Sequence, residues 1–146
     1  MIEKQANLML IGVGGGGCRF ASAAVRAFGG ALPAIGFDTD ALATRGIGNM
    51  RCMIVGAPVK GRQALRDDQE AVRSALAGVR LAVVVTALGG GVGNGATPQV
   101  LQILRDLGAH VLCFATLPFG LEGRERGQAA ERALPLIEEG SDALVV

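Results

Sequence analysis

The chain has 146 residues, of which 50% are hydrophobic and 18% charged, with a formal net charge of +1. This apolar content supports one folded domain, which we expect to span residues 1–146, and it excludes a disordered chain. Basic and acidic residues nearly balance, which argues against a nucleic-acid partner because neutralising phosphates needs an excess of Lys and Arg.

Cysteine and histidine usage excludes several kinds of site. The three cysteines are odd in number, far apart and without C-x-x-C spacing, which argues against a disulfide framework and a zinc ribbon. His110 is the one histidine, so a Ser-His-Asp triad is not expected, and we assign no metal ligand and no catalytic residue. The longest apolar runs are far shorter than the ~20 residues that cross a bilayer, so we expect a cytoplasmic chain without direct membrane insertion.

Short apolar runs alternate with helical patterns along the whole chain. In chain order they predict strand 8–13, helix 19–28, strands 34–37 and 52–55, a helix over 72–79, strand 81–87, helix 97–107, strand 111–116, helix 125–139 and strand 143–146. The first helix is expected to bury Phe20, Ala24 and Phe28 on one face. Thr97 is expected to cap the third helix, with Pro98 at its first position.

Strands with continuous rather than alternating hydrophobicity, separated by helices, are typical of a parallel sheet buried on both sides. The predicted fold class is therefore α/β, a doubly wound, mostly parallel sheet with helices on both faces. In such folds, ligands bind beyond the carboxyl ends of the strands, where the strand order reverses.

Two glycine-rich segments follow predicted strands and precede predicted helices. The first segment, residues 12–17, satisfies G-x-G-x-x-G, and the second segment spans residues 89–95. Without Cβ atoms, backbone N–H groups can converge on an oxyanion in front of a helix N-terminus. Two such turns at one sheet edge predict a polyphosphate held between two helix N-termini. Neither segment ends in the Gly-Lys-Ser/Thr of a Walker A loop.

Four motifs in this order resemble the GTPase domain of the tubulin/FtsZ family: residues 11–17, 38–40, 89–98 and 116–126. The resemblance implies a domain that binds GTP or GDP, with Mg²⁺ as cofactor, in bacterial cell division or cytoskeletal filament assembly. It implies that both glycine segments contact phosphates, that Glu122 lies near the ribose and that Arg126 faces the nucleotide. It also implies self-association or an FtsZ-like filament partner. The resulting cofactor-binding set is Gly14, Gly15, Gly16, Gly17, Arg19, Gly89, Gly90, Gly91, Val92, Gly93, Asn94, Gly95, Glu122 and Arg126.

The chain departs from the family pattern at several of these positions. Cys18 and Arg19 stand where the family has Gly-Asn, and Arg19 could pair either with a phosphate or with an acidic neighbour. Val92 and Asn94 replace two threonines of the signature loop, which removes hydroxyls that could contact phosphate or hydrated Mg²⁺. Asp38 replaces an asparagine, and a carboxylate there would repel phosphate unless Mg²⁺ lies between them.

Three functional hypotheses remain open from the sequence. The first is a guanine-nucleotide-binding domain with weak or absent hydrolysis, because in the family the residues that complete hydrolysis lie beyond position 146. Whether the chain is an enzyme stays undecided. The second is the NAD-binding Rossmann domain of a dehydrogenase, because Gly12, Gly14 and Gly17 fit its fingerprint and Asp38 follows at the spacing of a ribose-binding acid. The third is a degenerate, non-enzymatic assembly partner of FtsZ-like filaments.

Overall fold

A computed structural model describes residues 7–55 and 68–146. The strands are β1 Leu8–Val13, β2 Ala34–Asp38, β3 Arg51–Ile54, β4 Leu81–Ala87, β5 His110–Thr116 and β6 Ala143–Val145. The helices are α1 Gly14–Ala27, α2 Gln69–Ala75, α3 Gly91–Asp106 and α4 Arg124–Gly140, and a 3₁₀ turn covers Gly120–Glu122.

The six described strands form one sheet in the order β3-β2-β1-β4-β5-β6, and every neighbouring pair is parallel. The chain first moves outward from β1 to β3 and then returns to β4 on the other side of β1. The strand order therefore reverses between β1 and β4, and a crevice opens beyond their carboxyl ends. The two glycine segments follow these two strands.

Alternating residues of the central strands pack into two cores. Ile11 and Val84 belong to the larger core, which also takes side chains from α2, α3 and α4. Leu10 and Val85 point to the other face, where they pack with Val25 of α1. Helices thus cover both faces of the sheet, and the predicted α/β doubly wound class is confirmed.

Two helices begin earlier than the sequence indicated. The first starts at Gly14 rather than near 19, and the third starts at Gly91 rather than at Thr97. Thr97 is buried in the interior of α3, where its hydroxyl donates to Oγ1 of Thr86 at 2.9 Å instead of capping the helix. Low helix propensity led to the prediction of glycine loops, but the close approach of the helix ends to the sheet overrides that propensity.

The buried face of α1 also differs from the prediction. Phe20 is 59% exposed and Phe28 is 66% exposed, so the predicted aromatic face does not pack on the sheet. The sheet side of the helix instead carries small residues, among them Cys18 and Ala21, both fully buried. Small side chains let the helix lie close to β1 and β4, which leaves the large aromatic rings at its flank.

Candidate functional site

A cleft of about 450 Å³ opens at the carboxyl ends of β1, β2, β4 and β5. Nine of the predicted cofactor-binding residues line this cleft: Gly14, Gly15, Gly16, Gly90, Gly91, Val92, Gly93, Glu122 and Arg126. Residues from both glycine segments therefore share one concave surface, which lies at the point where the strand order reverses.

The two glycine segments are in direct contact. A Cβ built on Gly14 would lie 3.2 Å from the backbone nitrogen of Gly93 and 3.8 Å from the Cβ of Val92. Gly14 also has φ +77°, a conformation that residues with side chains rarely adopt. A Cβ on Gly93 would overlap the carbonyl oxygen of Ala87 at the end of β4. Glycine is therefore required where the two helix starts meet.

Both helices that start in these segments lack the usual N-terminal partners. The N-cap of α1 is Val13 and that of α3 is Gly90, and neither forms a side-chain capping hydrogen bond. Neither helix has an acidic residue in its first turn. The first N–H groups and the positive ends of two helix dipoles are therefore available to an anion in the cleft.

Glu122 and Arg126 form the polar wall of the cleft. Arg126 Nη1 donates to Oε2 of Glu122 at 2.6 Å, a charge-assisted bond between residues four apart. The other carboxylate oxygen of Glu122 accepts a hydrogen bond from the N–H of Phe119 at 3.1 Å. Both side chains are thereby oriented, and each still has hydrogen-bonding capacity toward a ligand.

Five of the predicted cofactor-binding residues do not line the cleft, and the first three are Gly17, Gly95 and Arg19. Gly17 is buried, and a Cβ there would overlap the carbonyl oxygen of Val85. Gly95 lies further along α3. Arg19 is exposed on α1, and within the described part of the chain it forms no hydrogen bond or ion pair with an acidic neighbour.

Asn94 and Gly89 also lie outside the lining, and they shape the second segment. The amide oxygen of Asn94 accepts the N–H of Gly89 at 2.9 Å. Gly89 has φ +98°, and a Cβ on it would meet the ring of Pro118 at 3.0 Å. The side chain of Asn94 therefore holds the turn that leads from β4 into α3.

Several residues of the cleft were not in the predicted set. They are Asp38, Thr39, Asp40, Ala43, Ala87, Leu88, Thr116, Leu117 and Pro118. Most of them lie at or directly after the carboxyl ends of β2, β4 and β5. Because the carboxyl ends of parallel strands share one edge of the sheet, this position was the signal in the sequence that could have identified them.

Asp38 is the most unusual of these residues because it is charged and only 2% exposed. Its Oδ1 accepts the N–H of Asp40 at 2.9 Å, whereas its Oδ2 is buried without a hydrogen-bond partner in the described structure. Nearly all buried polar atoms in proteins have a partner, so the free oxygen indicates a group that the polypeptide does not supply.

The buried cysteines are packing groups rather than nucleophiles. Burial raises the pKa of Cys18 to about 12, and the thiol donates weakly to the carbonyl oxygen of Gly12 at 3.6 Å. Burial alone raises the pKa of Cys113 to about 12. Reactive thiols need the opposite shift. Among the described residues, no group of three or more His, Cys, Asp or Glu side chains could hold a metal ion.

No helix within residues 7–55 and 68–146 has the length and hydropathy needed to cross a membrane.

Comparison with known proteins identifies the family. The family model described as "Tubulin/FtsZ family, GTPase domain" matches residues 34–146, more than half of the chain. The cell division protein FtsZ of Pseudomonas putida is 31% identical, with 99% of this chain and 39% of that protein covered. The FtsZ of Buchnera aphidicola is 32% identical, with 99% and 41% covered. The chain belongs to the tubulin/FtsZ family, and it spans about two fifths of the length of these relatives.

Two solved structures share the fold. An FtsZ dimer of M. jannaschii, described as empty, superposes with a TM-score of 0.86 at 25% identity, covering 98% of this chain and 45% of that one. CetZ1 from Haloferax volcanii, described as a GDP-bound monomer, gives a TM-score of 0.83 at 21% identity, covering 94% and 49%. The family match removes the support for the dehydrogenase alternative.

Proposed function

We propose that the chain is the guanine-nucleotide-binding domain of an FtsZ-like protein and that it holds the phosphates of GTP or GDP in the cleft. The observation that carries the proposal is the contact between Gly14 and Gly93, which brings two uncapped helix starts to one surface. Membership of the tubulin/FtsZ family names the nucleotide class. The cleft volume of about 450 Å³ lies in the range of small-ligand sites.

The phosphates would be bound mainly by backbone N–H groups. Residues 14–16 and 91–93 supply these donors, and the two helix dipoles add positive potential behind them. Because these donors belong to the backbone, the replacement of signature threonines by Val92 and Asn94 leaves them intact. Diphosphate binding is therefore expected without the hydroxyl contacts that threonines could add.

Glu122 and Arg126 are proposed to orient the rest of the nucleotide. A carboxylate accepts hydrogen bonds from sugar hydroxyls, so Glu122 suits the ribose. A guanidinium suits the phosphates, and Arg126 lies in the same cleft as the helix starts. Their mutual 2.6 Å bond holds both side chains before a ligand arrives.

Magnesium fits the residues at the floor of the cleft. Mg²⁺ in nucleotide sites is bound by one or two carboxylates together with phosphate oxygens and waters. Asp38 has an unpartnered buried oxygen, and Asp40 lines the same cleft. When bound there, Mg²⁺ would neutralise phosphate charge.

We assign no general base within the described cleft. The three carboxylates that line the cleft already have proposed ligands, because Asp38 and Asp40 are assigned to Mg²⁺ and Glu122 to the ribose. We therefore expect the isolated chain to bind nucleotide with slow or no turnover. We also propose that it self-associates or joins an FtsZ-like filament and acts in cell division, as the names of its relatives indicate.

A ligand panel tests the proposed function. Nucleotide-stripped protein is titrated calorimetrically with GDP, GTP, ADP and NADH in magnesium buffer. Binding of GDP and GTP, with weaker or no binding of ADP and NADH, is the expected result. Preference for NADH would contradict the proposal, and binding of none of the four would favour a degenerate assembly partner. Turnover of GTP is then measured with and without an FtsZ filament protein, and only the mixture is expected to hydrolyse it rapidly.

A further inference from the structure

The buried carboxylate of Asp38 has one oxygen satisfied and one oxygen free. Oδ1 accepts the N–H of Asp40 at 2.9 Å, so the carboxylate cannot rotate without breaking this bond. Oδ2 has no partner in the described structure, although Asp38 is only 2% exposed. Leaving a buried charged acceptor unpaired is unfavourable, so the native state is expected to supply a partner.

The free oxygen lies beside the first turn of α1. Oδ2 lies 3.6 Å from the position that a Cβ on Gly15 would occupy. Gly15 is in the first turn of α1, the turn whose N–H groups are proposed to bind phosphate. A phosphate in this position would therefore meet a carboxylate as well as its N–H donors.

The charges of the cleft increase this conflict. Asp38, Asp40 and Glu122 line it together with the guanidinium of Arg126, and that guanidinium is already bonded to Glu122. A nucleotide diphosphate would add further negative charge to a site with more carboxylates than cations. Repulsion from Asp38 is screened least, because this carboxylate is buried whereas Asp40 and Glu122 are exposed.

We propose that Asp38 makes nucleotide binding by this chain conditional on a divalent cation, to which its free carboxylate oxygen would be a ligand. The inference rests on the proposed function. It deepens the proposed function because the requirement for a cation applies even to GDP, which the backbone N–H groups alone could otherwise bind. An asparagine at this position would impose no such condition, because its side chain carries no charge.

The cation and the nucleotide are expected to bind together. No group of three or more metal-ligating side chains exists among the described residues, so the protein alone offers too few ligands for a cation. The phosphates supply the missing ligands, and Asp38 supplies an anchor. The two affinities are then coupled, and each ligand strengthens the other by the same factor.

The first test compares Asp38→Asn with the parent protein. Asparagine keeps the shape of the side chain and the oxygen that accepts the Asp40 N–H, and it removes the charge. Calorimetric titrations with GDP are run for both proteins with magnesium and with excess EDTA. Asp106→Asn is the matched control because Asp106 lies at the end of α3, away from the cleft.

The expected result is that GDP binding loses its dependence on magnesium in Asp38→Asn. Chelation should weaken GDP binding by at least about tenfold in the parent and in Asp106→Asn, but by no more than about twofold in Asp38→Asn. In EDTA, Asp38→Asn should bind GDP more tightly than the parent. Equal GDP affinity of the parent in both buffers would overturn the inference while leaving the proposed function intact. An equal loss in the parent and in Asp38→Asn would also overturn it, since the cation would then be held by phosphate alone.

A second measurement uses the parent protein and does not depend on a variant that folds. Manganese is added, and its free signal is followed by electron paramagnetic resonance. GDP alone lowers the signal to some extent, and the protein should lower it further only when GDP is present. Manganese binding without nucleotide, or no loss beyond that of GDP alone, would contradict the inference. If the parent binds no guanine nucleotide in any buffer, the proposed function fails as well.

Discussion

Replacement of Gly91 by valine tests the phosphate role of the second glycine segment without disturbing the fold. Gly91 is the first residue of α3 and lines the cleft. A Cβ built on it meets no atom within 4 Å, and its φ is not positive. A side chain there would occupy space that the proposed phosphate uses, and it would not strain the polypeptide.

The expected loss of affinity follows from the donors that valine would block. A hydrogen bond to a charged group contributes about 1.5–3 kcal/mol, so losing one N–H to phosphate bond weakens GDP binding about 10- to 150-fold. The free energy of unfolding should change by less than about 1 kcal/mol, because valine and glycine differ little in helix propensity and the site is open.

The assay combines calorimetric titration with GDP and urea unfolding of the same preparations. Gly127→Val is the matched control, since Gly127 lies in α4, outside the cleft lining, and a Cβ there also meets no atom within 4 Å. Gly127→Val should bind GDP as the parent does. If Gly91→Val also bound GDP as tightly as the parent, the phosphate role of this segment would be refuted.

Three further predictions address packing, titration and the polar wall. Gly93→Ala should lower the free energy of unfolding by about 1–3 kcal/mol in urea, because its Cβ would overlap the carbonyl of Ala87; unchanged stability would contradict the tight contact. The pKa of Cys113 is about 12 in the folded protein and near 9 in the unfolded chain. The free energy of unfolding should therefore fall as the pH rises from 9 toward 12, by at most about 1.4 kcal/mol per pH unit for this thiol. The free energy of unfolding of Cys113→Ala should fall less steeply over this pH range, and an identical slope would rule out Cys113 as the cause. Arg126→Gln should weaken GDP binding about tenfold, whereas Arg124→Gln should leave it unchanged. Equal affinities of Arg126→Gln and the parent for GDP would show that Arg126 does not bind the nucleotide.

The strands could be predicted because continuous apolar runs indicate burial on both faces of a parallel sheet. The first strand was predicted at 8–13 and is observed at Leu8–Val13. The fourth strand was predicted at 81–87 and is observed at Leu81–Ala87. The signal is strong because burial on both faces restricts every residue of the strand.

The helix starts could not be predicted from local preferences. Glycine disfavours helices, so the glycine segments were assigned to loops, whereas contact between Gly14 and Gly93 fixes them as helical first turns. The exposed Phe20 and Phe28 have a similar cause, because small residues decide how closely α1 approaches the sheet. Both features depend on contacts distant in sequence.

The cleft was predicted in part. Its rim follows from glycine segments placed after two strands, and that placement depends only on local sequence. The unpartnered Oδ2 of Asp38 could not be predicted, because burial of a strand-end carboxylate depends on the packing of α1 over the end of β2. The substitution itself was visible in the sequence, but its free oxygen was visible only in three dimensions.

Amide NMR of the ¹⁵N-labelled chain, titrated with GDP and magnesium, tests the central claim most directly. If one ligand lies between both helix starts, the N–H resonances of residues 14–16 and 91–93 should shift together with a single dissociation constant. Resonances at the amino ends of the strands, opposite the cleft, such as that of Asn7 before β1, should stay unchanged. Shifts confined to one glycine segment, or two segments that titrate with different constants, would contradict a shared phosphate site.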